Sequence, residues 1–131
     1  MYKYGYTQST KMPGPEIGVE VLSAYRSGRS RAVTCVIDTA ATVSVLPLFL
    51  VDELQLGDYT SSSVTWGSGD STMEKKYLVD LRISGRLFSG LYVVMIKRPK
   101  GYGLIGRDIL NTHLLTCDGP GGTWRVEPEW V

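Results

Sequence analysis

Apolar and polar positions in this chain alternate in short runs, and the period is that of strands rather than helices. Residues 17–24 alternate and are bounded by Pro13-Gly14-Pro15 and Ser27-Gly28. Residues 32–37 are rich in Val, Ile and Thr and predict a central strand. The Ser27-Gly28-Arg29-Ser30 link between them reads as a hairpin. A turn of small residues, Asp38-Thr39-Ala40-Ala41, leads into a further short run at 43–46. Pro47 suits the first position of a short helix over 48–54, which Leu56-Gly57 closes.

Residues 59–66 and 73–83 flank Gly67-Ser68-Gly69-Asp70, which predicts a long hairpin with a polar tip. Met73-Glu74-Lys75-Lys76 reads as its exposed edge, where lysines discourage pairing with other chains. Ser84-Gly85-Arg86 is another turn, and 87–96 is a strand pair or one long strand. Residues 99–103 form a loop, and 108–115 fit a short helix. Two last strands, 114–117 and 123–126, flank a dense turn signal at 118–122. The expectation is one all-β domain over residues 1–131 with one or two short helices, and with residues 1–13 as an arm.

Composition narrows the function classes. Apolar residues make up 43% and charged residues 21%, as in an ordinary globular domain. The formal charge is +1, and local basic pairs (Arg29 with Arg31, Lys97 with Arg98) read as solvated turns, so no nucleic-acid partner is expected. Cys35 and Cys117 lie in apolar segments and read as buried free thiols. Neither belongs to a C-x-x-C pair, and one histidine does not complete a usual zinc set, so no metal and no cofactor are expected. The longest apolar run, 43–51, is too short to span a bilayer. The expectation is a soluble cytoplasmic protein, or one released from a larger polyprotein, with no membrane partner.

The chemistry concentrates in Val36-Ile37-Asp38-Thr39-Ala40-Ala41-Thr42-Val43-Ser44-Val45-Leu46-Pro47. An acid directly after a buried strand is costly unless it is paired or hydrogen-bonded. The bland alternative is an Asp that caps a turn. A second stretch, Gly103-Leu104-Ile105-Gly106-Arg107-Asp108-Ile109-Leu110, follows later. Together the two stretches resemble the retropepsin-like aspartic proteases. That family has Asp-Thr/Ser-Gly-Ala after hydrophobics, then an apolar-Ser-apolar-apolar run, and later Gly-Arg-Asp/Asn after an apolar pair. The resemblance covers about residues 17–126, with the predicted hairpin between the two blocks.

The resemblance implies a closed β-barrel or sandwich with a flap hairpin, active as a homodimer. It implies an endopeptidase acting on peptide or protein substrates, with Asp38 as the one catalytic residue of each chain. Two Asp38 carboxylates at a two-fold axis would share one proton, because like charges that close do not both ionise. One would activate a water as general base while the other polarises the scissile carbonyl and protonates the leaving amine. Thr39 matches the family residue whose hydroxyl reaches the partner chain. Ala40 and Ala41 match small residues beside the substrate backbone. Trp66, Gly67, Ser68, Gly69 and Asp70 correspond to the flap. Tyr102, Leu104 and Ile105 correspond to a loop lining side-chain pockets. Gly106 allows tight packing beneath the cleft, and Arg107 and Asp108 start a helix in structural roles. The terminal strands are candidates for the dimer interface.

Two departures matter. Ala40 stands where the family has Gly; it fits with little strain at a negative backbone angle and costs ~1 kcal/mol or more at a positive one. Thr42 stands where retroviral members often carry an acid that pairs with the helix arginine, so Arg107 needs another partner. Ala40 motivates an alternative: a catalytically impaired dimer of the same fold acting as a peptide-binding or assembly module. Gly101-Tyr102-Gly103-Leu104-Ile105-Gly106 also fits a dinucleotide fingerprint, but only 25 residues follow Gly106, too few for the βαβ unit that such a site needs. Trp124 and Trp130 read as interface anchors or as packing residues, and His113 as a surface or interface side chain.

Overall fold

The computed structural model describes residues 2–7, 12–24, 29–97 and 101–131. The first half of the chain forms β1 (Tyr4–Gly5), β2 (Glu16–Ser23), β3 (Ser30–Ile37), β4 (Val45–Pro47), α1 (Phe49–Glu53) and β5 (Tyr59–Thr65). The second half forms β6 (Ser71–Ile83), β7 (Arg86–Ile96), β8 (Gly103–Ile105), α2 (Arg107–Leu110), β9 (Leu114–Asp118) and β10 (Thr123–Glu127). Ser27 and Gly28 of the expected hairpin link, Arg98 of the basic pair, Pro99 of the expected loop, and Met1 and residues 8–11 of the expected arm lie outside the described residues. Among the described residues no helix is long and apolar enough to cross a membrane.

Strands in the order β2-β3-β8-β4-β7-β6 are hydrogen-bonded in sequence, and β6 pairs back onto β2 to close a six-stranded barrel. Alternation along each strand drives the closure. Val19 and Val21 of β2, Val33 and Cys35 of β3, and Val79, Leu81 and Ile83 of β6 all turn inward and are buried. Each such side chain contributes about 1.5–3 kcal/mol by leaving water. Leu50 and Leu54, from α1 and its end, and Ile109 and Leu110 of α2 join the same core.

The 13 residues of β6 serve two partners. Its second half completes the barrel, while its first half extends outward and pairs with β5, from Tyr59↔Tyr77 to Thr65↔Ser71. β7 is one long strand, as one of the two expectations had it. It carries Gly90 at φ 69°, where the β6–β7 register shifts and Asp80 accepts the Gly90 N–H at 2.8 Å.

β8 is only three residues long, yet it holds the centre. It runs parallel to β3 and antiparallel to β4, so it separates the two strands that bracket Asp38. The fit demands glycine at its start. A Cβ on Gly103 would lie 2.6 Å from Cys35 Sγ and 3.0 Å from the Val45 carbonyl oxygen.

The termini build a second sheet in the order β1-β10-β9. Within the expected arm, Tyr4–Gly5 pair with β10, and the Tyr4 ring stacks on Trp124 at 4.6 Å. Trp124 and Trp130 are both buried within one chain and meet edge to face at 5.9 Å, so they are core residues and not interface anchors.

His113, expected at a surface or interface, makes defined contacts within its own chain. It is half-buried against Trp130, accepts the indole N–H at Nε2 (2.8 Å), and so carries its own proton on Nδ1, which lies 2.9 Å from the Ile109 carbonyl. The same carbonyl accepts the Thr112 hydroxyl at 3.0 Å. Two side chains claiming one helical carbonyl end α2 at Leu110, which is why it is shorter than the expected 108–115 helix.

α1 lies within the expected 48–54, capped by Leu48 and Leu54, but Pro47 has another role. Pro47 closes β4 instead of opening the helix, because the N–H that reaches the Ile96 carbonyl belongs to Leu48. Cys117 is exposed on β9, an edge strand half out of the core; only Cys35 is buried, and neither forms a disulfide.

Substituting Trp124→Ala is expected to lower the unfolding free energy by about 3–5 kcal/mol without altering the mass in solution. Urea denaturation with sedimentation checks both. A loss below about 1 kcal/mol, or a change of assembly, contradicts a core role.

Candidate functional site

Asp38 follows β3 directly. Its N–H donates to the Ile105 carbonyl at 2.9 Å, which carries the β3–β8 pairing one residue further. Its Oδ1 accepts the Ala40 N–H at 3.0 Å, and its carbonyl accepts the Ala41 N–H at 3.3 Å. The carboxylate is therefore the cap of a tight turn as well as a candidate catalytic group. No hydrogen bond among the described residues reaches its Oδ2. Ala40 lies outside the left-handed region, since the non-glycine residues with positive φ are Gln55 and Ser84. Its methyl therefore carries no backbone strain at the position where the resembled family has Gly.

The turn is anchored from below by a hydrogen-bond knot. Ser44 is fully buried, and its hydroxyl donates to Asp108 Oδ1 at 2.7 Å while accepting the Gly106 N–H at 3.0 Å. The Ser44 N–H donates to Asp108 Oδ2 at 2.9 Å, and the Ile109 N–H to Asp108 Oδ1 at 3.0 Å. Arg107 closes the loop through its backbone, donating to the Ala41 carbonyl at 2.8 Å. Gly106 is obligatory here: a Cβ would sit 2.7 Å from the backbone of Val43 and 2.9 Å from the Ala41 oxygen. The structural roles expected for Gly106, Arg107 and Asp108 correspond to these contacts. The guanidinium of Arg107 has no ion pair among the described residues, so the partner sought in place of an acid at Thr42 is not found.

Above this floor lies a cleft of about 260 Å³. Asp38, Ala40 and Ala41 line one side, and Leu104 of β8 stands beside them. Thr65, Trp66 and Gly67 of the β5–β6 hairpin line the other. Asp38 is the one ionisable group among the described lining residues. A small apolar cluster of Val45, Val64 and Val94 supports the cleft, with Val43, Trp66, Ile96 and Leu104 packed against it.

Not every expected residue reaches this cleft. Ile105 is fully buried in the barrel core, because adjacent residues of a strand face opposite sides and Leu104 takes the cleft side. Tyr102 is half-buried outside the lining. Thr39 is exposed, and its hydroxyl makes no hydrogen bond within the chain among the described residues. Ser68, Gly69 and Asp70 form the exposed hairpin tip, where Trp66 N–H donates to the Asp70 carbonyl at 2.9 Å and Gly69 takes φ 90°. Conversely, Thr42, Val43, Val45, Val64 and Thr65 line the cleft without having been singled out. Their signal was available: Val43 and Val45 are alternate residues of the apolar run after the turn, and Val64 and Thr65 end the strand before the hairpin tip.

No protein-family model matches the chain, and no curated protein matches it significantly.

Replacing Ser44 by Ala strands the buried Gly106 N–H and leaves Asp108 Oδ1 with the Ile109 N–H alone. The expected cost is about 1–3 kcal/mol of stability, with faster hydrogen exchange at the Gly106 amide. Unchanged exchange at that amide would show that the knot does not hold the turn.

Proposed function

We propose that this chain is an aspartic endopeptidase of the retropepsin-like kind, assembled as a homodimer in which two Asp38 carboxylates share one proton. The observation that carries the reading is a single carboxylate beside an apolar cleft, fixed at the end of a central barrel strand and faced by a hairpin. Among the described residues that line the cleft nothing else ionises, so they supply one acid–base group per chain. Hydrolysis of an amide needs a base for the water and an acid for the departing amine. A second copy related by two-fold symmetry supplies the other carboxylate in the same geometry. Thr39, exposed next to Asp38 and without a hydroxyl partner among the described residues, is suited to bond the facing turn.

In this mechanism the ionised Asp38 takes a proton from water as the oxygen attacks the scissile carbonyl. The protonated Asp38 donates a hydrogen bond to the carbonyl oxygen. Collapse of the tetrahedral intermediate returns a proton to the amine. The hairpin residues Trp66 to Asp70 act as the flap that covers the peptide and excludes water. The strain-free Ala40 favours this reading over a peptide-binding module, since the methyl costs the turn nothing.

The test is cleavage of a peptide with apolar residues around its centre at mildly acidic pH. Asp38→Asn is expected to reduce the rate by about 10²–10⁴-fold. Specific activity is expected to fall steeply on dilution, as the dimer dissociates. Equal cleavage by both proteins, or full activity in a strict monomer, would sink the shared-proton mechanism.

A further inference from the structure

We infer that Trp66 selects the side chain that enters the cleft beside Asp38, and that it favours an aromatic ring over an aliphatic group of similar size. The inference rests on the peptidase reading and adds the substrate class to it.

The indole is held from two directions. Its Nε1–H donates to Thr72 Oγ1 at 2.7 Å across the hairpin, and its backbone N–H closes the tip turn on Asp70. It also packs against the Val45–Val64–Val94 cluster. A ring fixed at its polar edge and along one side presents a defined surface to the cleft that it lines. Trp66 is half-buried, so part of that surface is available to a ligand, whereas Trp124 and Trp130 are sealed in the core.

The rest of the cleft matches a ring in size and character. Its lining includes the β-branched Val43, Val45 and Val64, stiff at χ1, and the small Ala40 and Ala41. A dry apolar cavity of roughly 150 Å³ accepts benzene, so about 260 Å³ accommodates one phenyl or phenol group. Among the described lining residues none is a cation and Asp38 is an acid, so an acidic side chain is disfavoured. An aromatic pair adds about 0.5–1.5 kcal/mol beyond buried area, which converts to a preference of roughly two- to twelve-fold for a ring over an aliphatic group.

Two pools of blocked octapeptides test this, random except for one fixed central residue, Phe in one and Leu in the other. Cleavage by the wild-type protein and binding to the Asp38→Asn protein are measured separately. The Phe pool is expected to be preferred two- to twelve-fold in both readouts. Trp66→Leu is expected to abolish the preference and Trp66→Phe to keep it. Thr72→Val leaves the indole in place and removes its anchor, so it is expected to raise KM for the Phe pool more than it lowers kcat. Binding that prefers Phe, with no cleavage of either pool, would support the role of Trp66 while overturning the peptidase reading. Equal binding of both pools by the Asp38→Asn protein, binding of neither, or a Phe preference that survives in Trp66→Leu would overturn the role of Trp66.

Discussion

The Ser44 hydroxyl sits where the acid-bearing turn, the start of α2 and the end of β8 meet, and it fixes all three. It gives one hydrogen bond to Asp108 and takes one from Gly106. Buried polar groups of this kind stabilise only when every member is satisfied, and a satisfied network rigidifies what it joins. Here Asp108 also receives the N–H groups of Ser44 and Ile109, so the network closes on itself. The approach of backbones that makes this geometry available depends on Gly106, where no side chain fits. Asp38 owes its position to this knot and to the strand pairing above it. Neither is a contact of the carboxylate itself, so its chemistry is left open while its place is fixed.

The long strand β6 divides the molecule into parts of different firmness. Its second half contributes Val79, Leu81 and Ile83 to the main core. Its first half pairs with a serine- and threonine-rich β5; Tyr77 at its inner end packs on the main core, and further out the hairpin shares a small apolar cluster with the barrel. Segments with few buried apolar contacts open at lower free energy than the core to which they are attached. Val64 and Trp66 are the hairpin residues that join this small cluster.

Much of this was legible in the chain. β2 and β3 alternate in burial and follow directly from period two, while β6, β7 and the hairpin around residues 67–70 were legible from β-rich runs bounded by turn residues. The barrel closure was carried by the two motif blocks rather than by pattern. β8 was not readable as a strand, because three residues hold no period and its identity comes from the neighbours on both sides. For the same reason Leu104 and Ile105 looked equivalent, although one faces the cleft and the other the core. Ser44 was visible as a polar residue inside an apolar run, but its partner lies 64 residues away and only the fold brings them together. Trp124 and Trp130 misled for a related reason. Large aromatics near a chain end suit an interface or a core equally well, and the pairing of β1 with β10 decides between them by covering them with Tyr4.

Under the peptidase reading, symmetry is a chemical requirement and not an embellishment of the fold. A lone carboxylate in a cleft can accept a proton from water, but it cannot at the same moment donate one to the carbonyl oxygen that is gaining charge. Enzymes with a single acid solve this by adding a histidine, a metal or a lysine, and no such group lines this cleft among the described residues. The alternative is to use the same residue twice, once ionised and once protonated. Two copies brought to one axis satisfy that condition without any further side chain, because mutual repulsion forces them into unlike protonation states. The chain then needs to supply only an acid at an accessible turn and a surface beside it that is not already used. Asp38, with Thr39 exposed next to it, meets that description.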